Sequence, residues 1–215
     1  MNVTKKIFII LSPVFVILFC GIFVIIFSRF ISEWVFVPTA IIYWFLSFII
    51  ALGVTGKKSI KDYFNKPSGN IGWLILSIII GFIPFSILLL NLRLLNSFTV
   101  IGLWVLFSVF NPFFEEIYWR GFLLKNTFRS KALSSIYSTF LFVISHLCIW
   151  GIFSYGNRNV FTIISLTIMG ITWCIIKIKT KSLWWNIISH ILVDFFNLSV
   201  FVFLNLYIPE HGSLY

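Results

Sequence analysis

Six ionisable residues lie inside stretches of this sequence that are otherwise apolar, and their spacing is that of helical partners. Glu115 and Glu116 precede Arg120. A four-residue step puts Glu116 and Arg120 on one helix face, close enough to pair, while Glu115 is turned about 100° away and points elsewhere. His190 and Asp194 are again four residues apart, with Asn186 on the same stripe, so one helix presents an amide, an imidazole and a carboxyl group in a row. Phe142 and His146 repeat the step on another segment. An ionisable group in hydrocarbon costs on the order of 2.5–3.5 kcal/mol, so the set predicts convergence into one polar site. Two buried histidines alone would read as core residues bonded to backbone carbonyls. Beside an acid pair they read as acid–base machinery, with Glu116–Arg120 structural and Glu115 free to move protons.

The elements that must position these residues are membrane spans. The chain has 215 residues, 60% hydrophobic and 10% charged, with a mean hydropathy of +1.06. A water-soluble domain needs more polar surface than that. Runs of about 20 apolar residues span a bilayer core, and seven are found: 7–28, 34–54, 71–95, 98–124, 132–152, 160–176 and 182–208. The period-two alternation of a membrane barrel is absent. The expected fold is therefore all-α: a single integral membrane domain over 1–215, a polytopic helical bundle with three motif-free spans in 1–97 and the chemistry-bearing spans in 98–208. The first run is too long for a signal peptide and reads as an anchor. Asn111-Pro112 predicts a kink or opening just before the acid pair. Gly56–Asn70 reads as a polar loop with a short interfacial helix near Ile60–Phe64. Trp34, Trp73, Trp150, Trp184 and Trp185 lie near span ends, where indoles favour the headgroup layer. Cys20, Cys148 and Cys174 lack paired spacing and read as small hydrophobic residues. Glu210 and His211 fall in a polar tail.

Charge orients the bundle. Of sixteen basic residues, twelve sit in one alternating set of loops (Lys5, Lys6, the 57–66 cluster, Lys125, Arg129, Lys131 and the 177–181 cluster), against Arg29, Arg93 and Arg158 in the other. The positive-inside rule places the N-terminus in the cytoplasm. The net charge of +10 is spread over loops, not gathered on one face, so no nucleic-acid partner is expected. Abundant Phe, Ile, Lys and Asn with little Ala fits a bacterial chain, hence the plasma membrane. Counting about 1.5 Å per residue from the cytoplasmic ends puts Glu116 at roughly 13 Å, His190 at roughly 12 Å and His146 at roughly 20 Å. The expectation is a site that faces the cytoplasmic side.

Glu115-Glu116-Ile117-Tyr118-Trp119-Arg120 resembles the Glu-Glu-x-x-x-Arg motif of the CAAX-protease and bacteriocin-processing family (Abi family) of intramembrane glutamic endopeptidases. Phe142-Val143-Ile144-Ser145-His146 is similar to its Phe-x-x-x-His motif, and His190 with Asp194 to its His-x-x-x-Asn motif. The likeness covers roughly residues 100–197. It implies peptide-bond hydrolysis by water without a covalent intermediate. Glu115 would be the general base, His146 would help hold the water, His190 and residue 194 would face the oxyanion, and Glu116 and Arg120 would support the site. Where the family pattern has Asn, this chain has Asp194. An ionised Asp cannot donate a hydrogen bond, so either Asp194 is protonated or it orients His190 and another donor serves, for which Asn186 is the candidate.

The expected partners are the lipid bilayer and a peptide or membrane-associated protein substrate, with no cofactor. A second enzymatic reading makes Glu115, His146 and His190 zinc ligands, although the His-Glu-x-x-His signature is missing. A transporter or proton relay would also place carboxylates and histidines in spans, but no inverted repeat or paired broken helix is visible. A catalytically inactive family member acting in bacteriocin immunity or as a scaffold is the remaining alternative. Substrate identity, its prenylation and the oligomeric state are not encoded legibly.

Overall fold

The computed structural model describes residues 3–208, and every regular element among them is helical. Glu210 and His211 lie outside the described residues. Among the described residues, five stretches are long and apolar enough to cross a membrane: Val3–Asp62, Gly72–Leu90, Phe98–Asn126, Lys131–Ile152 and Val160–Thr180. The first is two helices. α1 (Val3–Ile31) ends at Ser32, whose φ of 51° turns the chain through a 3₁₀ segment (Ser32–Val35) into α2 (Phe36–Asp62). Gly56 (φ 77°, ψ 162°) breaks α2 and leaves a final helical turn before Tyr63, where the sequence suggested a short interfacial helix.

The third segment is split at Pro84 into α3 (Gly72–Phe82) and α4 (Phe85–Leu90), as expected where a ring replaces a backbone donor. Pro112 behaves differently. α5 (Phe98–Glu116) runs straight through it, and the irregularity comes after the acid pair, as a π-helical stretch (Ile117–Leu123) that leads into α6 (Leu124–Asn126). Single π-turns inside α-helices are frequent at functional sites. α7 (Lys131–Cys148) starts on a Ser130 cap, and α8 (Val160–Thr180) on an Asn159 cap. The seventh segment is α9 (Trp184–Phe196) and α10 (Ser199–Phe203), separated by Leu198 at φ 58°. With 13 residues, α9 rises about 20 Å, less than the roughly 30 Å of a hydrocarbon core.

The two ends of the bundle differ in charge. At one end the Tyr63 ring lies under the ammonium groups of Lys125 (5.4 Å) and Lys177 (5.2 Å), and the Tyr63 carbonyl accepts from Leu183 N–H (2.8 Å), so the lysine-bearing loops after α2, α6 and α8 meet there. At the other, Asn205 donates to Glu33 (3.4 Å) and to the Phe153 carbonyl (2.8 Å). The outward faces carry Phe15, Phe19, Ile22, Phe45, Ile79 and Phe140, each about half exposed, the distribution a lipid solvent favours. Trp150 departs from the headgroup-layer expectation: it is 1% exposed and stacks on Phe203 at 5.0 Å. Cys20 and Cys174 are buried free thiols, while Cys148 is exposed.

At Gly21, α1 crosses α7 so closely that an added Cβ would stand 2.6 Å from the Cys148 carbonyl oxygen, whereas Gly102 has nothing within 4 Å of that position. Gly21→Ala is expected to destabilise the bundle by about 1–3 kcal/mol, and Gly102→Ala to stabilise it by about 0.5–1 kcal/mol, read as opposite shifts in thermal unfolding in detergent.

Candidate active site

α5 and α9 face each other with their polar stripes inward. Glu115 and Glu116 end α5, Arg120 follows in the π stretch, and α9 presents Asn186, His190 and Asp194. All six are buried. His190 is the hub. Its Nδ1 donates to Glu116 Oε1 (3.1 Å), and its Nε2 lies 3.5 Å from Glu115 Oε2 and 3.6 Å from Asp194 Oδ1. The two nitrogens of one ring therefore join three carboxyl groups from two helices. The π stretch supplies a guanidinium: Arg120 NH1 donates to Glu116 Oε1 (3.1 Å).

Aromatic rings complete the enclosure. The guanidinium of Arg120 lies 4.2 Å from the centre of the Phe142 ring and 5.0 Å from that of Trp173, close enough for cation–π attraction. Trp173 also stacks on His190 (centroids 4.5 Å, 25° between planes), and its indole N–H is tied to Ser189 (3.0 Å). One indole on α8 thus braces both the guanidinium and the imidazole of the cluster. Gly170, one turn earlier, lets α8 approach α7: a Cβ there would stand 2.7 Å from the Thr139 methyl group.

His146 occupies a separate wall. Its Nδ1 is 2.9 Å from the Phe142 carbonyl oxygen. Only a protonated nitrogen can make that bond, so in the neutral ring Nε2 holds the lone pair and can accept a proton from water. His146 shares with His190, Asp194 and Asn111 the lining of a cavity of about 290 Å³, at the lower end of the range for small-ligand pockets. Glu115 stands directly behind that lining, 1% exposed, in contact with both His190 and Asn111.

Three findings depart from the sequence reading. Asn186, the candidate oxyanion donor, does not line the cavity: its side-chain N–H₂ is used on Glu116 Oε2 (3.1 Å) and the Trp173 carbonyl (2.8 Å), and it is fully buried. It supports Glu116. Secondly, the cavity does not open toward the lysine-rich end. Its lining on α8 (Phe161, Thr162, Ser165) and beyond α9 (Asn197, Tyr207) lies in the opposite half of the bundle. Thirdly, two polar residues that carry no charge join the site. Tyr43, on the motif-free α2, donates to Glu115 Oε1 (2.8 Å) and accepts from Trp119 N–H (2.8 Å). Asn111 donates to Glu115 Oε2 (3.3 Å) and Asp194 Oδ2 (3.0 Å). Asn111 was visible in the sequence only as half of a helix interruption, and Tyr43 gave no signal. Among the described residues no group of three or more His, Cys, Asp or Glu is arranged to hold a metal ion.

Removing one partner of a buried ion pair strands the other. Arg120→Met is expected to cost about 3–5 kcal/mol, seen as a lower melting temperature and reduced membrane abundance. Arg120→Lys should recover only part of this, since an ammonium cannot spread over the Phe142 and Trp173 rings while bonding Glu116. A melting temperature unchanged in Arg120→Met would mean that the pair does not hold the π stretch.

No curated protein and no solved structure matches this chain. Residues 96–196 match the family model described as type II CAAX prenyl endopeptidase Rce1-like. That segment runs from the residues just before α5 to the last residue of α9, so it contains the acid pair, Arg120, both histidines and Asp194. Over residues 96–196, a little under half of its length, the chain is therefore similar to the type II CAAX endopeptidases.

Proposed function

We propose that the protein is an intramembrane glutamic endopeptidase that hydrolyses a peptide bond in a membrane-associated protein or peptide. The observation that carries this reading is the contact of Glu115 with His190, one carboxylate oxygen held by Tyr43 and the other turned toward the wall of a cavity that also contains His146. A carboxylate with one oxygen held by a neutral hydroxyl and the other beside two groups that line the cavity is arranged to take a proton.

The proposed reaction begins with a water in the cavity, hydrogen-bonded to the Nε2 lone pair of His146. Glu115 removes its proton as the oxygen bonds to the scissile carbonyl carbon, and the C=O pair moves onto the carbonyl oxygen. His190 faces the developing negative charge. Collapse breaks the C–N bond, and the proton on Glu115 passes to the leaving nitrogen. Glu116 and Arg120 keep their charges throughout, and their role is to fix His190 and the π stretch. Exclusion of bulk water strengthens each dipole aimed at the oxyanion.

In this reading the lysine-rich end faces the cytoplasm of a bacterial plasma membrane, as loop charge directs, and the substrate segment approaches from the half of the bundle that holds the cavity. A zinc-dependent mechanism has less support, because both nitrogens of His190 are directed at carboxyl groups. Chelators are expected to leave the activity intact.

The test is comparative peptidomics of cells that express the wild type or Glu115→Gln at equal membrane abundance. Cleavage products present with the wild type should vanish with the variant. Identical peptide profiles would remove the proteolytic reading and leave a non-cleaving immunity or scaffold role.

A further inference from the structure

We infer that Asn111 supplies the amide hydrogen bond to the oxyanion that Asp194 cannot give. The inference rests on the proteolytic reading above and adds a catalytic residue to it. Asn111 and Asp194 face each other across α5 and α9, with Asn111 Nδ2 donating to Asp194 Oδ2 at 3.0 Å, and both line the cavity. One amide and one carboxylate therefore stand together at the edge where the carbonyl would be attacked. Of the two, only the amide has a proton to donate while the acid is ionised.

The orientation of that amide is fixed. Trp44 Nε1 donates to Asn111 Oδ1 (2.8 Å), and the Trp44 ring is itself stacked on Phe114 (centroids 5.6 Å, 8° between planes). Exchanging the amide oxygen and nitrogen would set an N–H₂ against the indole N–H and a carbonyl oxygen against two carboxylates, losing every bond the group makes. Its N–H₂ is thereby held toward Glu115 and Asp194. The two bonds it makes there are unequal, at 3.3 Å to Glu115 Oε2 and 3.0 Å to Asp194 Oδ2.

The weaker of these is the one the reaction releases. While Glu115 is ionised, the N–H has a charged acceptor. When Glu115 takes the proton of the attacking water, negative charge leaves that carboxylate and appears on the former carbonyl oxygen. The N–H can then follow the charge from one oxygen to the other while Asp194 holds the second N–H in place. Asp194 is a positioning residue in this scheme, keeping the carboxamide of Asn111 in register with the Nε2 side of His190.

The pair can be exchanged. Asn111→Asp leaves two facing acids and no amide, and should lower kcat by about 10²–10³-fold with little change in KM, the loss typical of a missing oxyanion donor. The double variant N111D/D194N, which restores one amide and one acid on opposite helices, should recover part of the activity that Asn111→Asp loses. Asn111→Leu, similar in size and uncharged, serves if the paired acids of Asn111→Asp prevent folding, and the same fall in kcat is expected. Each is assayed as purified full-length chain in bilayers against a cleaved peptide found with the wild type. A double variant that folds with wild-type thermal stability but stays as inactive as Asn111→Asp overturns the inference, as does full kcat in Asn111→Leu. If the wild type and Glu115→Gln yield the same peptides, the proteolytic reading itself fails and this inference falls with it. If only the Asn111 variants miss expectation, the proteolytic reading stands.

Discussion

Placing one imidazole within reach of three carboxyl groups inside an apolar bundle sets the terms for every neighbouring element. His190 meets Glu115 and Glu116 on α5 and Asp194 on its own helix, and all four groups are buried. Charges removed from water must be met by partners of good geometry or the bundle cannot close. Arg120 is therefore required on the same side as Glu116, and the π stretch carries it there. The guanidinium in turn leaves two of its nitrogens without hydrogen-bond partners, and the faces of Phe142 and Trp173 take that part. A chain of obligations thus runs from one ring on α9 through α5 to α7 and α8.

The same constraint separates the roles of the two adjacent glutamates. Glu116 is committed to Arg120, His190 and Asn186. Glu115 has only neutral donors, Tyr43 and Asn111, apart from the longer contact with His190. A carboxylate held by neutral donors can change its charge without dismantling an ion pair. That difference, produced by the 100° turn between successive helical residues, is what makes one acid of the pair suited to chemistry and the other to structure.

Much of this was legible in the sequence because ionisable residues in apolar spans are costly and must meet. Glu115, Glu116, Arg120, His190 and Asp194 stood out for that reason, and the four-residue steps on α5 and α9 gave their facing. Tyr43, Trp44 and Asn111 did not stand out, since uncharged polar side chains in a span carry little insertion cost; only Asn111, four residues before Glu115, had a spacing that ties it to the acid. Trp150 was misread because position near a span end says nothing of which side a ring faces, and it turned inward against Phe203. Pro112 did not announce the π stretch, which lies one turn later, where Arg120 must reach back to Glu116. Depth counted from helix ends did not locate the cavity, because a void forms where side chains fall short of filling space and only packing decides that side.

The central claim is the contact between the His190 ring and the acid pair, and a distance in the intact membrane protein tests it most directly. In bilayers, protein labelled with ¹⁵N-histidine and with ¹³C at the glutamate carboxyl carbons can be measured by dipolar recoupling. The account predicts strong couplings from both ring nitrogens of a single histidine to two different glutamates. That from Nδ1 should disappear in Glu116→Ala, and that from Nε2 in Glu115→Ala. A spectrum in which no histidine nitrogen couples to any glutamate carboxyl, in protein of full thermal stability, would contradict it.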